Sequence, residues 1–322
     1  MKKTRPWLYA VLSILIILVF FVSLAAGSTV LDPGMIFLTG SPDSLILFSI
    51  RLPRTAAAAL AGLALALSGL LVQSATGNPL ASSNIIGINS GAGFAVMLIL
   101  SLAPSMFGIL PLAAFSGALA SALLVFLISG CVSSLSSASS LILSGVAVNA
   151  FFNALISIVT NLDPDAVSGY SAFSAGGFAL VSWSDLVIPS ILILLASASS
   201  FLMTGAMDAL LLGDEIASSL GYRPRKVRIM LMALSCLLAA SAVSFCGLLG
   251  FVGLVTPHIA RFLTGGKSVS LISVCALAGP VLVMLADLLG RTLFAPSELP
   301  AGIFMALLGV PFFIILLLRR RR

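Results

Sequence analysis

Residues 55–162, about a third of the 322-residue chain, contain no Asp, Glu, Lys or Arg. A soluble domain does not tolerate such a stretch, because about 25% of the residues in soluble domains are charged. Over the whole chain 60% of the residues are hydrophobic and 8% are charged, and the apolar runs are long and continuous. Disordered chains need high charge, and membrane β-barrels have short alternating segments, so that both are excluded. The sequence therefore predicts an all-α, polytopic membrane protein.

The apolar runs define about ten predicted spans in a single transmembrane domain over residues 1–322, since a membrane helix needs about 20 residues. The spans are predicted near residues 7–27, 55–73, 84–103, 109–130, 139–160, 186–206, 227–246, 248–264, 270–290 and 301–318. Lys2, Lys3 and Arg5 precede the first run, as they would in a signal peptide. That run is longer than a usual signal core, which favours an uncleaved first helix.

The distribution of basic residues predicts the orientation of these spans, because cytoplasmic loops carry an excess of Lys and Arg. Ten spans place both termini on one side, and that side then holds thirteen of the 16 Lys and Arg residues. The other side holds only Arg51, Arg54 and Arg291. We therefore predict cytoplasmic termini. This topology also accounts for the net charge of +6 without a nucleic-acid partner.

A faint internal repeat relates the two halves of the chain. Residues 68–71, Ser-Gly-Leu-Leu, resemble residues 246–249, Cys-Gly-Leu-Leu, at an offset of 178 residues. In both copies a proline follows ten residues after the glycine, at Pro79 and Pro257. The offset corresponds to five predicted spans, so that the two copies would run in opposite directions. Inverted repeats of this kind are common in transporters, and we predict one here.

Signatures of enzymes, metal sites and nucleotide sites are missing from the sequence. His258 is the only histidine, and the four cysteines stand singly without a CxxC motif. Residues 265–268, Gly-Gly-Lys-Ser, resemble the end of a Walker A loop, but Arg261 occupies the position of its first glycine. The sequence therefore predicts no catalytic residues, no bound metal and no cofactor.

One ionisable pair is predicted inside a span. Asp287 precedes Arg291 by four residues, which is a favourable spacing for an ion pair on a helix. Intramembrane carboxylates can also relay protons. A structural pair is favoured over a relay, because the sequence offers no second carboxylate in the middle of a span.

A short amphipathic helix is predicted near residues 212–221, in the longest cytoplasmic loop. Gly213, Asp214 and Glu215 suit a helix start, and Gly221 suits the left-handed position after a helix end. One face of this helix carries an apolar stripe formed by Leu212, Ile216 and Leu220, with Ala217 beside it. Such a stripe can lie on lipid or insert into the groove of a partner protein, and the pattern alone leaves both interpretations open.

Several segments, taken in order, resemble the FecCD-type permeases of ABC importers for iron-siderophores, haem and vitamin B12. They are Arg51–Arg54, Leu67–Gln73, Gly77–Ala81, Gly213–Ala217 with Leu220 and Gly221, Gly250–Arg261, Ala286–Asp287 with Arg291, Glu298–Gly302 and Gly309–Phe312. Two small departures are Ser83, near which members often have proline, and Ala301, where members often have valine. The resemblance covers residues 51–313, most of the chain.

The resemblance implies ten spans per subunit, a dimer with a second permease subunit, and a translocation path along the subunit interface in a bacterial cytoplasmic membrane. It implies that two cytoplasmic ATP-binding subunits bind the 212–221 helix, a coupling helix, through Leu212, Gly213, Glu215, Ile216, Ala217, Leu220 and Gly221. It further implies that an extracytoplasmic substrate-binding protein docks on Arg51, Arg54 and Arg291. An iron-siderophore is the favoured substrate, with haem or cobalamin as alternatives. An ion-coupled secondary transporter is the alternative from a different class.

Overall fold

The computed structural model describes residues 6–27, 41–131 and 138–319, and all regular structure within these ranges is helical. The helices are α1 (Pro6–Ala25), α2 (Pro42–Leu45), α3 (Leu52–Thr76), α4 (Ile88–Leu102), α5 (Leu110–Cys131), α6 (Ala138–Leu162), α7 (Ala166–Ala175), α8 (Trp183–Leu202), α9 (Thr204–Leu211), α10 (Asp214–Ser219), α11 (Pro224–Cys246), α12 (Val252–Thr264), α13 (Ser268–Thr292) and α14 (Ala301–Arg319). A π-helical segment, Ile46–Arg51, joins α2 to α3.

Each of the ten predicted spans corresponds to one of these helices, which confirms the all-α polytopic fold. Among the described residues, seven helical runs are long and apolar enough to cross a membrane, and two shorter apolar helices span Ile88–Leu102 and Ala301–Ile315. The tenth, α12, has only 13 residues. The span predicted at 186–206 is wrong at its end, because α8 stops at Leu202 and the separate helix α9 follows. Helix α7 was not predicted from the sequence.

Helix α3 lies at the centre of the bundle and is buried along most of its 25 residues. Glycines bring its backbone against two neighbours: a Cβ atom on Gly62 would overlap the backbone of Gly279 in α13, and one on Gly69 would overlap Gly253 in α12. Small residues allow such close approach, which is how helices pack in lipid without a hydrophobic driving force.

Reciprocal hydrogen bonds between serines join α3 to α11. The hydroxyl of Ser68 donates to the carbonyl oxygen of Ser235, and the hydroxyl of Ser235 donates to the carbonyl oxygen of Ser68, both at 3.0 Å. Both side chains are fully buried. The pair therefore fixes the position of α3 along α11 by polar contacts in an otherwise apolar core.

The chain between α11 and α12 is not helical. Gly247 and Phe251 adopt positive φ angles of 70° and 65°. Backbone groups of this segment that lack a partner within a helix form hydrogen bonds with other parts of the protein. The amide of Leu248 donates to the carbonyl of Phe173 at 3.1 Å, and the amide of Gly177 donates to that of Cys246 at 2.9 Å. Non-helical backbone at membrane depth requires such internal partners. The inverted repeat stays a prediction, and its two glycines differ locally, since Gly69 lies inside α3.

The length of α3, about 37 Å at 1.5 Å per residue, separates two ends of the molecule, which we call the arginine end, at Leu52, and the α10 end, at Thr76. Helix α1 ends and α14 begins at the arginine end, as the contacts of Arg51 and Leu299 indicate. Residues 6 and 319 therefore lie toward the α10 end, as an even number of spans requires. The predicted cytoplasmic location of that end stays a prediction. Lys2, Lys3, Arg5 and residues 320–322 lie outside the described residues.

Candidate functional sites

At the α10 end, the predicted amphipathic helix is present over Asp214–Ser219, shorter than the predicted 212–221. Gly213 precedes it with φ of 102°, and Gly221 follows with φ of 86°, so that both glycines hold backbone conformations that other residues rarely adopt. The amide of Tyr222 donates to the carbonyl oxygen of Ala217 at 3.0 Å and closes the helix end.

The three side chains of the predicted apolar stripe are exposed, but only Ile216 lies within α10, since Leu212 precedes Gly213 and Leu220 caps the helix end. The exposed fractions of Leu212, Ile216 and Leu220 are 59%, 48% and 60%, whereas Ala217 is fully buried against the protein. Glu215 is also exposed. Three exposed large apolar side chains so close together in the chain can contribute to a binding surface for a protein partner or for lipid.

An arginine of α11 attaches α10 to the bundle. The Arg228 guanidinium donates from Nη1 and Nη2 to the two carboxylate oxygens of Asp214, at 2.8 and 2.7 Å. Its Nε donates to the carbonyl oxygen of Ala75 in α3, at 3.0 Å. The hydrogen bonds from Arg228 hold the pKa of Asp214 below its usual value of 3.8. Arg228 was not among the residues predicted from the sequence, since no helical spacing connects it to Asp214.

At the arginine end, Arg54 lies between two carboxylates. Its Nη2 is 2.9 Å from Oδ1 of Asp287 in α13, and its Nε donates to the same carboxylate. Its Nη1 donates to Oε2 of Glu298 at 2.6 Å. Arg54 and Asp287 are buried, and Glu298 is partly exposed. Arg54 thus ties α3 to α13 and to the segment that leads into α14.

The other two arginines of the candidate docking set contact the end of α1. Nη1 of Arg51 donates to the carbonyl oxygens of Leu24 and Ala25, at 2.9 and 2.7 Å. Nη2 of Arg291 donates to the carbonyl and hydroxyl oxygens of Ser23. The structure therefore brings the three predicted docking arginines to one end, but it buries all three within the chain. Their docking role stays a prediction.

The predicted Asp287–Arg291 ion pair is present, but it is the longer of the two ion pairs that Asp287 forms. Nε of Arg291 is 3.6 Å from Oδ2 of Asp287, whereas Arg54 approaches the same carboxylate to 2.9 Å. The ion pair is therefore a structural contact shared by three residues. Arg54 and Asp287 are 233 positions apart, so that no local spacing could predict their contact.

A cavity of about 630 Å³ opens beside the arginine cluster, between α5, α7, α11 and the segment before α14. Its wall includes Phe173, Phe178 and Phe245 together with Arg54 and Glu298. The lining is mostly aromatic and small, with a few polar groups, as is usual for ligand cavities. Within the part of the chain that the structure describes, no three His, Cys, Asp or Glu side chains group to bind a metal ion.

The arrangement of helices is that of an ABC transporter permease. A metal-chelate type ABC transporter solved in an inward-facing conformation has a TM-score of 0.88 and 29% identity, over 98% of this chain and 100% of that one. The FecCD transport family matches residues 15–319, and the chain belongs to this family.

Two curated relatives illustrate the range of cargo within the family. The Hemin transport system permease protein HmuU of Yersinia pestis is 36% identical over 318 residues, covering 96% of this chain and 95% of that protein. The Fe(3+)-citrate import system permease protein YfmE of Bacillus subtilis is 36% identical over 324 residues, covering 98% and 96%.

Proposed function

We propose that this chain is the membrane subunit of an ABC importer for iron-siderophore complexes, with haem or cobalamin as alternative cargo. It forms the translocation path with a second permease subunit in a bacterial cytoplasmic membrane, and two separate ATP-binding subunits drive transport. Membership of the FecCD transport family and the likeness to a metal-chelate type ABC transporter support the proposal. The relatives named for hemin and Fe(3+)-citrate support an iron chelate without distinguishing which one.

The observation that carries the proposal is the exposure of Leu212, Ile216 and Leu220 in and beside α10. Burying a Leu or Ile side chain contributes about 1.5–3 kcal/mol, so that Leu212, Ile216 and Leu220 together can hold a partner subunit in place. Insertion of an amphipathic helix into a groove is a common way to couple two proteins. The ATP-binding subunits would receive α10 in this way, at the end where the basic residues predict cytoplasm.

Docking of an extracytoplasmic binding protein on Arg51, Arg54 and Arg291 is the second part of the proposal. An arginine can hold a carboxylate with two parallel hydrogen bonds, and two permease subunits would present two such sets. Because the three guanidiniums contact groups of their own chain, a partner carboxylate would have to replace one of these contacts. Glu298 is the partly exposed member of the cluster and so the contact most readily exchanged.

Substitution of Ile216 by Asp tests the α10 assignment. We expect Ile216→Asp to weaken co-purification with the ATP-binding subunits at least tenfold, since one lost anchor of about 1.5–3 kcal/mol corresponds to that change. Membrane insertion should be unchanged. Ser218→Asp, on the opposite exposed face of the helix, adds the same charge and should leave co-purification intact.

The outcome also separates this proposal from its rivals. Normal co-purification and transport by Ile216→Asp would contradict docking through the stripe. Uptake that needs an ion gradient and no ATP-binding subunit would favour the secondary transporter. The purified chain alone should neither bind nor hydrolyse ATP, because Arg261 interrupts its only Walker-like segment.

A further inference from the structure

We propose that Arg228 is a positioning residue that transmits movement of α10 to α3. This inference rests on the proposed function, in which α10 receives the ATP-binding subunit. Arg228 belongs to neither α10 nor α3, yet its guanidinium contacts both, through Asp214 and through the carbonyl oxygen of Ala75. A displacement of α10 therefore pulls on the last turn of α3.

All three nitrogens of the guanidinium take part. Nη1 and Nη2 are used in the two-pronged contact with Asp214, and Nε is used in the contact with Ala75. The planar, rigid arrangement of donors in arginine fixes the angle between these contacts, which the single ammonium group of lysine would not do. Asp214 and Ala75 are thus held at a set distance and direction from each other.

The attachment point on α3 is well suited to this role. The last four carbonyl groups of a helix lack partners within the helix, and Gly77, with φ of 62°, ends α3 two residues after Ala75. Arg228 supplies a charged donor to one of these carbonyl groups. The contact therefore does not compete with the internal hydrogen bonds of α3.

The polar link to Asp214 is the route from α10 into the bundle. Among the side-chain hydrogen bonds of the described residues, those of Ser218 and Ser219 stay within α10, to the carbonyl oxygens of Asp214 and Ile216. The contact of Asp214 with Arg228 is the one that leaves α10 for a membrane-spanning helix. The burial of Ala217 adds an apolar contact between α10 and the rest of the protein, but an apolar contact does not fix the orientation of α10.

Beyond its last turn, α3 is held tightly to three helices. Gly62 and Gly69 lie against the backbones of α13 and α12, and Ser68 is hydrogen-bonded to α11. Arg54, at the other end of α3, contacts Asp287 and Glu298. Because these contacts tolerate little sliding, a pull on Ala75 is taken up in the last turn of α3, residues 73–77, and the arginine end stays in place.

Hydrogen exchange in lipid nanodiscs tests this, with the ATP-binding subunit that co-purifies with the wild-type chain. Binding of that subunit should slow exchange in α10 and also in the last turn of α3, residues 73–77. In Arg228→Gln, protection of α10 should remain, because the apolar stripe is intact. Protection of residues 73–77 should fall roughly 2- to 30-fold, the range that substitutions along a coupled network produce.

Two further variants keep the test decisive. Asp214→Asn retains the contact of Arg228 with Ala75 and weakens the link to α10, so that it should also lose protection in α3. Arg225→Gln removes an exposed charge from the same helix and should behave as wild type. Persistent protection of residues 73–77 in both Arg228→Gln and Asp214→Asn would overturn the inference. Failure of the wild-type chain to bind any ATP-binding subunit would instead overturn the proposed function, and this inference with it.

Discussion

The two ends of α3 carry the same chemical pair in opposite surroundings. At the arginine end, Arg54 and Asp287 are both buried, with 8% and 1% of their side chains exposed. At the α10 end, Arg228 and Asp214 are 23% and 46% exposed. A buried ion pair is costly to break, because each charge left behind lacks water. An exposed pair opens cheaply, because water and salt replace the partner.

The difference in burial indicates which end of α3 can move. The buried pair joins α3 to α13, two long helices of the core. The exposed pair joins α11 to α10, a helix of six residues, and Arg228 also contacts α3 through its Nε. A part that must respond to a partner needs contacts that can be remade at small cost. The α10 end therefore has the properties of a moving joint, and the arginine end those of a fixed one.

The largest expected effect follows from removing the shared carboxylate of the fixed end. Asp287→Ala leaves Arg54 and Arg291 without their common partner, and we expect a loss of about 3–5 kcal/mol in the free energy of unfolding. Denaturant titration of the protein in mixed micelles measures this loss. A change below about 1 kcal/mol in the free energy of unfolding would mean that the arginine end tolerates the loss of an ion pair as well as the α10 end does. The two ends would then not differ in the cost of breaking their ion pairs.

A smaller effect is expected at the partly exposed member of the same cluster. Glu298→Gln keeps an oxygen within reach of Arg54 but removes the charge, and we expect a loss of about 1 kcal/mol. Asp165→Asn, an exposed carboxylate at the start of α7, is the matched control and should be neutral. Equal losses in the free energy of unfolding for Glu298→Gln and Asp287→Ala would show that the strength of a contact in this cluster does not depend on how exposed its residues are.

The smallest effect on stability is expected at the moving end. Asp214→Asn should change the free energy of unfolding by at most about 1 kcal/mol, although it should disconnect α10 as described above. If Asp214→Asn lowered the free energy of unfolding as much as Asp287→Ala does, the Arg228–Asp214 pair would not be the more easily broken of the two ion pairs.

The pH dependence of α10 sharpens the same contrast. Because Arg228 lowers the pKa of Asp214 from its usual 3.8, the attachment is complete above that value and is lost as the pH falls through the lowered pKa. We therefore expect exchange in α10, corrected for intrinsic rates, to stay constant from about pH 5 to 8 and to rise only below about pH 4. In Asp214→Asn this acid-induced rise should be absent.

The membrane spans could be predicted because they depend on local composition. Long apolar runs specify helices in lipid regardless of what they touch, and glycines such as Gly213 and Gly221 mark helix boundaries through backbone preference alone. The break between α8 and α9 was missed, because Met203 at the boundary is apolar and Gly205, the nearest glycine, lies inside α9.

The contacts of the charged residues could not be predicted in the same way. Arg54 finds Asp287 and Glu298 across 233 and 244 positions, and Arg228 finds a backbone carbonyl 153 positions earlier. Such contacts depend on which helices pack together, which composition does not encode. The spacing of Asp287 and Arg291 suggested a pair, but a residue on another helix makes the closer contact.

The central position of α3 has a consequence for biosynthesis. Its partners α11, α12 and α13 all lie in the second half of the chain, and the carboxylate that neutralises Arg54 is made 233 residues later. At about 5–20 residues per second, α3 waits roughly 10–50 s on the ribosome for that partner. During this interval the glycine and serine faces of α3 lack their final partners, and Arg54 lacks its carboxylates. The core of this protein is thus completed only when its last helices arrive, because both carboxylates that contact Arg54 are made with them.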